Sequence, residues 1–247
     1  MSAILIPEGR QYLTDTLAVH RLGQAAITDD GRMWRYCEKS AAAAVVGDLQ
    51  QSAAADANMD ELVITTALLT VGAKTFIFTG QTPTAVAANY LAQGYVNVES
   101  GPGAGFLYKI DNHLAIAADT AANTINLGPP GARVVWTTST LVGVKPHPYK
   151  AVVISPTTPT GPVVGVAPLA IPASEFGWLQ VKGEASVVTE DTLVLGDDTR
   201  RSTDTAGALT FLDRDLASED FPSLGEVLEV NATTEWSRIA LHVSGFI

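Results

Sequence analysis

The sequence predicts a mainly β protein: sandwich- or barrel-like units of short antiparallel strands, with an extended N-terminal arm and few short helices. Three observations lead there. Short runs of alternating apolar and polar residues, rich in Val, Ile, Thr and aromatics, recur along the chain and suit strands with one buried face. Glycine and proline, 21 and 13 of the 247 residues, punctuate those runs and read as turns. Helical periodicity is scarce, so the glycine-broken runs find no competing helical reading.

In chain order, residues 1–34 read as an arm, broken by the turn signals Pro7-Glu8-Gly9 and Asp29-Asp30-Gly31. The alternative is an ordinary N-terminal strand pair. In RMWRYCEKSAAAAVVGDLQQ (32–51) the first part alternates. The AAAAVV run has helix propensity, but Gly47-Asp48 follows at once, which favours strand–turn–strand. VITTALLTVGAKTFIFTG gives two strands turned at Gly72-Ala73-Lys74. A short helix is expected from Thr84 to Gln93, ended by Gly94. YVNVES and FLYKI form a hairpin around Gly101-Pro102-Gly103-Ala104-Gly105, and TINL and ARVVWTT follow as strands. The proline- and threonine-rich SPTTPTGP reads as an extended linker. The expected division is therefore an arm over 1–34, a first β-rich domain over 35–154, a linker over 155–162 and a second β-rich domain over 163–247. In the second domain VVGVAPLAI, FGWLQVKG, TLVLGDD, GALTFLD, LGEVLEV and SRIALHV supply short strands at the spacing of a sandwich or barrel.

Bulk properties restrict function. The net charge of −11 argues against a nucleic-acid partner, which needs a basic surface to neutralise phosphates. The adjacent basic pair Arg200-Arg201 follows Asp197-Asp198. The single cysteine, Cys37, permits neither an intrachain disulfide nor a thiolate metal cluster. The N-terminal MSAILIPEGRQYL has no basic region before a long apolar core, so no secretory signal is expected. No stretch reaches the roughly 18 apolar residues of a membrane span. The mean hydropathy of +0.19 points to apolar surface shared between subunits.

The residues of catalysis do not fall into a recognisable set. GPGAG lacks the spacing of a dinucleotide loop and leads into a strand. His20, His113, His147 and His242 are scattered, without metal-ligand spacing. Asp29-Asp30 and Asp197-Asp198 sit beside glycines or turns and do not fit a calcium loop. No G-x-S-x-G nucleophile elbow occurs. Trp34, Trp136, Trp178 and Trp236 suit either a sugar-binding surface or, spread singly over β segments, cores and subunit interfaces. The expectation is no catalytic residue, no cofactor and no metal.

The order of motifs resembles tailed-phage virion structural proteins of the capsid decoration, or cement, type. The pieces that carry the resemblance are RLGQ (21–24), DGRMWRYCEKSAAAAVVGDL (30–49), ANYLAQGYVNVESGPGAGFLYKI (88–110), PVVGVAPLAIPASEFGWLQVKGEASV (162–187), TAGAL (205–209), LGEVLEV (224–230) and RIALHV (238–243). Gly177-Trp178-Leu179-Gln180 with Lys182-Gly183 is the most specific of them. The resemblance implies a non-enzymatic protein, assembled in the host cytoplasm and located on the capsid surface of the virion. It would bind the major capsid protein, form a homotrimer and engage neither nucleic acid nor membrane. The expected contact residues are Ile4, Leu5, Ile6, Tyr12 and Leu13 of the arm. The alternative is a tail or fibre component with a glycan-binding β domain.

Overall fold

The structure is a computed structural model that describes residues 3–66, 68–79, 85–117, 122–190, 193–215, 221–232 and 235–243. The chain forms two units. The first joins Met1–Ala54 to Pro148–Ile247, and the second is Ala55–His147. The first segment carries β1 (Ile4–Leu5), β2 (Ala25–Ile27), β3 (Met33–Glu38) and β4 (Leu49–Gln51). The second unit carries β5 (Leu62–Val63), β6 (Leu68–Leu69), β7 (Thr75–Thr79), β8 (Tyr95–Ser100), β9 (Leu107–His113), β10 (Ala122–Leu127), β11 (Trp136–Thr137) and β12 (Leu141–Lys145). The chain then returns to the first unit through β13 (Val153–Ile154), β14 (Val163–Val166), β15 (Phe176–Val188), β16 (Asp198–Arg201), β17 (Leu209–Phe211), β18 (Gly225–Glu229) and β19 (Trp236–His242). The mainly β expectation holds. Helix is confined, among the described residues, to single 3-10 turns at Arg10–Tyr12 and Ala57–Met59.

The unit boundaries differ from the expected ones. The 155–162 stretch is built into the first unit rather than linking two domains. Ser155 N–H donates to Leu49 O, Ser52 N–H donates to Pro162 O, and Gln51 Nε2 donates to Thr160 Oγ1 at 2.7 Å. Proline and threonine keep this segment extended, and an extended segment can lie along β4 as readily as span open solvent.

In the first unit the main sheet runs β1-β2-β3-β15-β19-β18-β16-β17, with β4, β13 and β14 attached through β14 to β15. β15 is its spine. β3 pairs with Phe176–Lys182 and β19 with Lys182–Val188. The change of partner falls at a register shift between Gln180 and Lys182, next to Gly183 at φ +92. There an added Cβ would come within 2.9 Å of Arg32 Cγ. Burial follows the pairing. Residues 177–181 are all buried, whereas Glu184 and Ser186 are exposed.

The second unit holds a six-stranded antiparallel sheet in the order β5-β12-β8-β9-β10-β7 and an antiparallel pair of β6 and β11. An antiparallel bridge from Ile64, just past β5, to Phe78 on β7 joins the two ends of the six-stranded sheet and nearly closes a barrel. Strict alternation fills the inside: Phe76 and Phe78, Val96 and Val98, Tyr108 and Ile110, Ile125 and Leu127 are buried. Trp136 is fully buried, edge-on to Phe76 (5.4 Å) and Tyr108 (5.3 Å). The 101–105 loop folds over it. A Cβ at Gly103 would lie 3.0 Å from the indole Nε1.

The helix expected from Thr84 is not formed over Ala85–Gln93, and Thr84 itself lies outside the described residues. Asn89 (φ 60) and Gln93 (φ 66) are left-handed and interrupt any helical run. Tertiary hydrogen bonds decide against alanine propensity. Asn89 N–H donates to His113 O, His113 N–H donates to Asn89 Oδ1, and Leu91 N–H donates to His113 Nε2 at 2.9 Å. Burial lowers the His113 pKa, which keeps Nε2 an acceptor.

Gly101 tests this architecture, since its φ is +76 and a Cβ there would lie 2.3 Å from Ser139 O. Gly101→Ala should cost about 1–3 kcal/mol in urea unfolding followed by circular dichroism. An unchanged midpoint would mean that the 101–105 loop relaxes without loss.

Candidate interaction surface

The five residues expected to make contacts lie on one N-terminal segment, and the structure separates them by depth. Among the described residues, β1 is the edge strand of the first unit's sheet, paired in parallel with β2 alone. Strand alternation sends Ile6 (3% exposed) and the half-buried Ile4 inward and leaves Leu5 (71%) outside. Ile6 N–H donates to Ile27 O at 3.0 Å, so the Leu5 peptide faces away from β2, towards the open edge. Tyr12 and Leu13 are exposed. Leu17 and Val19, further along the same segment, are exposed as well. The sequence reading missed these two, although apolar residues in LTDTLAVH, where no strand pattern accounts for them, were the signal.

Residues 1–34 are expected as an extended arm, with an N-terminal strand pair as the alternative; in its described part, 3–34, the segment belongs to the first unit and β1 pairs with β2. Asp15 is the pin. Its carboxylate accepts both Arg10 Nη2 bonds (2.7 and 2.6 Å) and the Tyr36 hydroxyl (2.8 Å). Its backbone pairs with Phe176 in both directions at 2.9 Å. Burial and the Asp15 bond raise the Tyr36 pKa, so the hydroxyl remains a donor. Beneath lies an aromatic cluster: Tyr36 stacks on Phe176 and meets Trp178 and His20 edge-on, while Trp34 and Trp178 are fully buried. Each such ring pair adds about 0.5–1.5 kcal/mol beyond area burial.

The other candidate groups are structural in their placement. Cys37 is fully buried, and burial pushes its thiol up to about 12, so it is protonated at neutral pH. Lys39 is also buried, and its Nζ donates to Val152 O at 2.8 Å. Burial brings Lys39 down to about 8, against the opposing pull of nearby acidic groups that include Asp48. Arg200 and Arg201 are 4% and 7% exposed and do not form a basic surface. Arg201 instead holds Gln51 Oε1 and Gly161 O. Among the described residues no three His, Cys, Asp or Glu side chains gather as metal ligands. No helix among them is long and apolar enough to cross a membrane.

Of the four tryptophans, Trp34, Trp136 and Trp178 are fully buried, and Trp236 is 45% exposed. Trp236 stands over a groove of about 720 Å³ on the outward face of β15 and β19. Compared with protein-family models, curated proteins and solved structures, the chain matches none.

Two outcomes follow from these contacts. Asp15→Ala should cost about 2–3 kcal/mol, since it removes charge-assisted bonds and strands a buried hydroxyl. It should also expose Arg10 and Arg21 to trypsin while the rest of the first unit resists, read by mass spectrometry of the early digest. The second concerns Asp48, which burial lifts from 3.8 to about 6. Between those values the native state holds a proton that the unfolded chain has lost, so this group makes stability fall as pH rises through that window. Urea midpoints of Asp48→Asn should lack that fall. Parallel pH curves for wild type and variant would refute the assignment.

Proposed function

We propose that this chain is a non-enzymatic virion structural protein of the capsid decoration type, which binds the outer capsid and stabilises the head. The observation that carries the reading is the set of exposed apolar side chains Leu5, Tyr12, Leu13, Leu17 and Val19 on one N-terminal segment, whose strand β1 pairs, among the described residues, with β2 alone. Apolar side chains held outward by a fixed backbone suit burial against a partner. An unpaired edge suits addition of a partner strand. The motif order that resembles cement proteins supplies the partners: the major capsid protein and other copies of this chain, as a homotrimer. The acidic charge of −11 suits a solvated outer surface. Several weak contacts per oligomer would sum through high effective concentration.

The test pairs light scattering of the purified protein with a pull-down on capsids that lack it. Deleting the first residues is a poor probe, because it removes Ile6 from the core, and Ile→Ala there would alone cost about 2–5 kcal/mol. Leu13→Glu with Leu17→Glu leaves that core intact. A trimer that binds capsids, with attachment reduced about tenfold or more in the double variant, supports the reading. A monomer that ignores capsids, or attachment unchanged in the variant, overturns it.

A further inference from the structure

The groove under Trp236 has a chemistry of its own. Its floor is the second half of β15, where Glu184 and Ser186 face out, and β19 beside it, where Arg238 lies opposite Ser186. Arg238 stands between two carboxylates, Glu184 Oε2 at 3.6 Å and Glu229 Oε2 at 3.5 Å. These are long, solvent-exposed ion pairs that leave oxygens and N–H groups able to take further partners. Arg32, bonded to Asp30, also lines the groove. So does Asn231, whose Nδ2 donates to Trp236 O at 2.5 Å.

Trp236 is fixed in place. Its Nε1 donates to Val46 O at 3.0 Å, and its pyrrole edge rests on Gly47, where a Cβ would come within 2.3 Å of Nε1. Gly47 has φ +80 and no side chain, so the indole can lie directly on the backbone. The rest of the ring stays open to the groove.

We propose that this groove binds a neutral pyranose oligosaccharide, with Trp236 as the stacking platform. A pyranose ring presents an apolar face of C–H groups and a rim of hydroxyls. The C–H face carries partial positive charge, which the negative face of an indole attracts. Hydroxyls both donate and accept, so they match a site that alternates carboxylate, guanidinium and amide. The size lies within the ~300–1,000 Å³ typical of small-molecule sites. A protein hot spot surrounds its aromatic anchor with apolar, water-excluding contacts. Here the residues that line the groove with Trp236 include Arg238, Glu229, Glu184, Asn231 and Ser186, and the exposed Val45 and Val46 are not among them. The proposal does not rest on capsid attachment: Trp236, Arg238, Glu229 and Glu184 lie outside the N-terminal segment, and the groove meets that segment through Arg32, which donates to the Tyr12 hydroxyl at 3.2 Å.

The experiment titrates the full chain with cellohexaose, maltohexaose, isomaltohexaose and chitohexaose by calorimetry, and follows indole fluorescence. The other three tryptophans are fully buried, so Trp236 dominates any ligand-induced change. Binding of one of these sugars, weakened about tenfold or more in Trp236→Ala and in Glu229→Gln but largely kept in Trp236→Phe, supports the proposal. Circular dichroism confirms that each variant is folded, and Glu229→Gln tests the site even if Trp236→Ala does not fold. Absence of heat and fluorescence change with all four sugars overturns it, as does binding that the variants leave intact. A wild-type oligomer that Trp236→Ala converts to monomer also overturns it, by assigning the exposed ring to a second copy of the chain.

Discussion

The first unit depends on β15 changing partners midway. Thirteen residues of continuous strand serve β3 along the first half and β19 along the second. The register shift after Gln180 and the left-handed Gly183 allow the handover without breaking the strand. Covered on both faces, Gly177–Val181 can be wholly buried and supports Trp178 in the aromatic cluster. Half open, Glu184–Ser186 becomes the floor of a polar groove. A side chain at position 183 would be strained by φ and would press on Arg32, so glycine is the residue that joins the buried half to the open one.

The same strand also fixes the N-terminal segment. Phe176, its first residue, pairs with Asp15. Asp15 in turn gathers Arg10 and Tyr36. Exposed apolar side chains would collapse onto the protein if their backbone were loose. Held at Asp15 and at β1, they stay outward while Ile4 and Ile6 fill the core below. Rigid presentation of this kind lowers the ordering entropy lost on binding.

The second unit solves the edge problem differently. Its six strands nearly close upon themselves through Ile64 and Phe78, so alternation needs to satisfy only one inside. Trp136 fills the core with edge-on aromatic neighbours, and the glycine loop at 101–105 packs over it. That loop resembles a phosphate cradle only in composition. Its positive φ angles and the contacts a Cβ would meet at Gly101 and Gly103 give it a packing role.

The sequence by itself determined the strands that alternate with period two and the glycine turns between them. YVNVES and FLYKI around GPGAG, and RIALHV at the close, are legible because alternation and turn chemistry are local properties of the chain. Depth along the N-terminus was partly legible: Leu5 between Ile4 and Ile6 follows from alternation, while Leu17 and Val19 do not. Only the tertiary structure decided which tryptophan is exposed, where the units divide and what the Ala-rich 85–93 stretch becomes. Trp236 and Trp178 both stand in alternating β segments, yet one is open and the other sealed, because burial depends on which strands lie across the sheet. Likewise, residues 1–54 join 148–247 through pairings of β3 and β4 with strands more than a hundred residues away. Local patterning fixes the conformation of a segment, and long-range pairing decides which of its faces stay exposed.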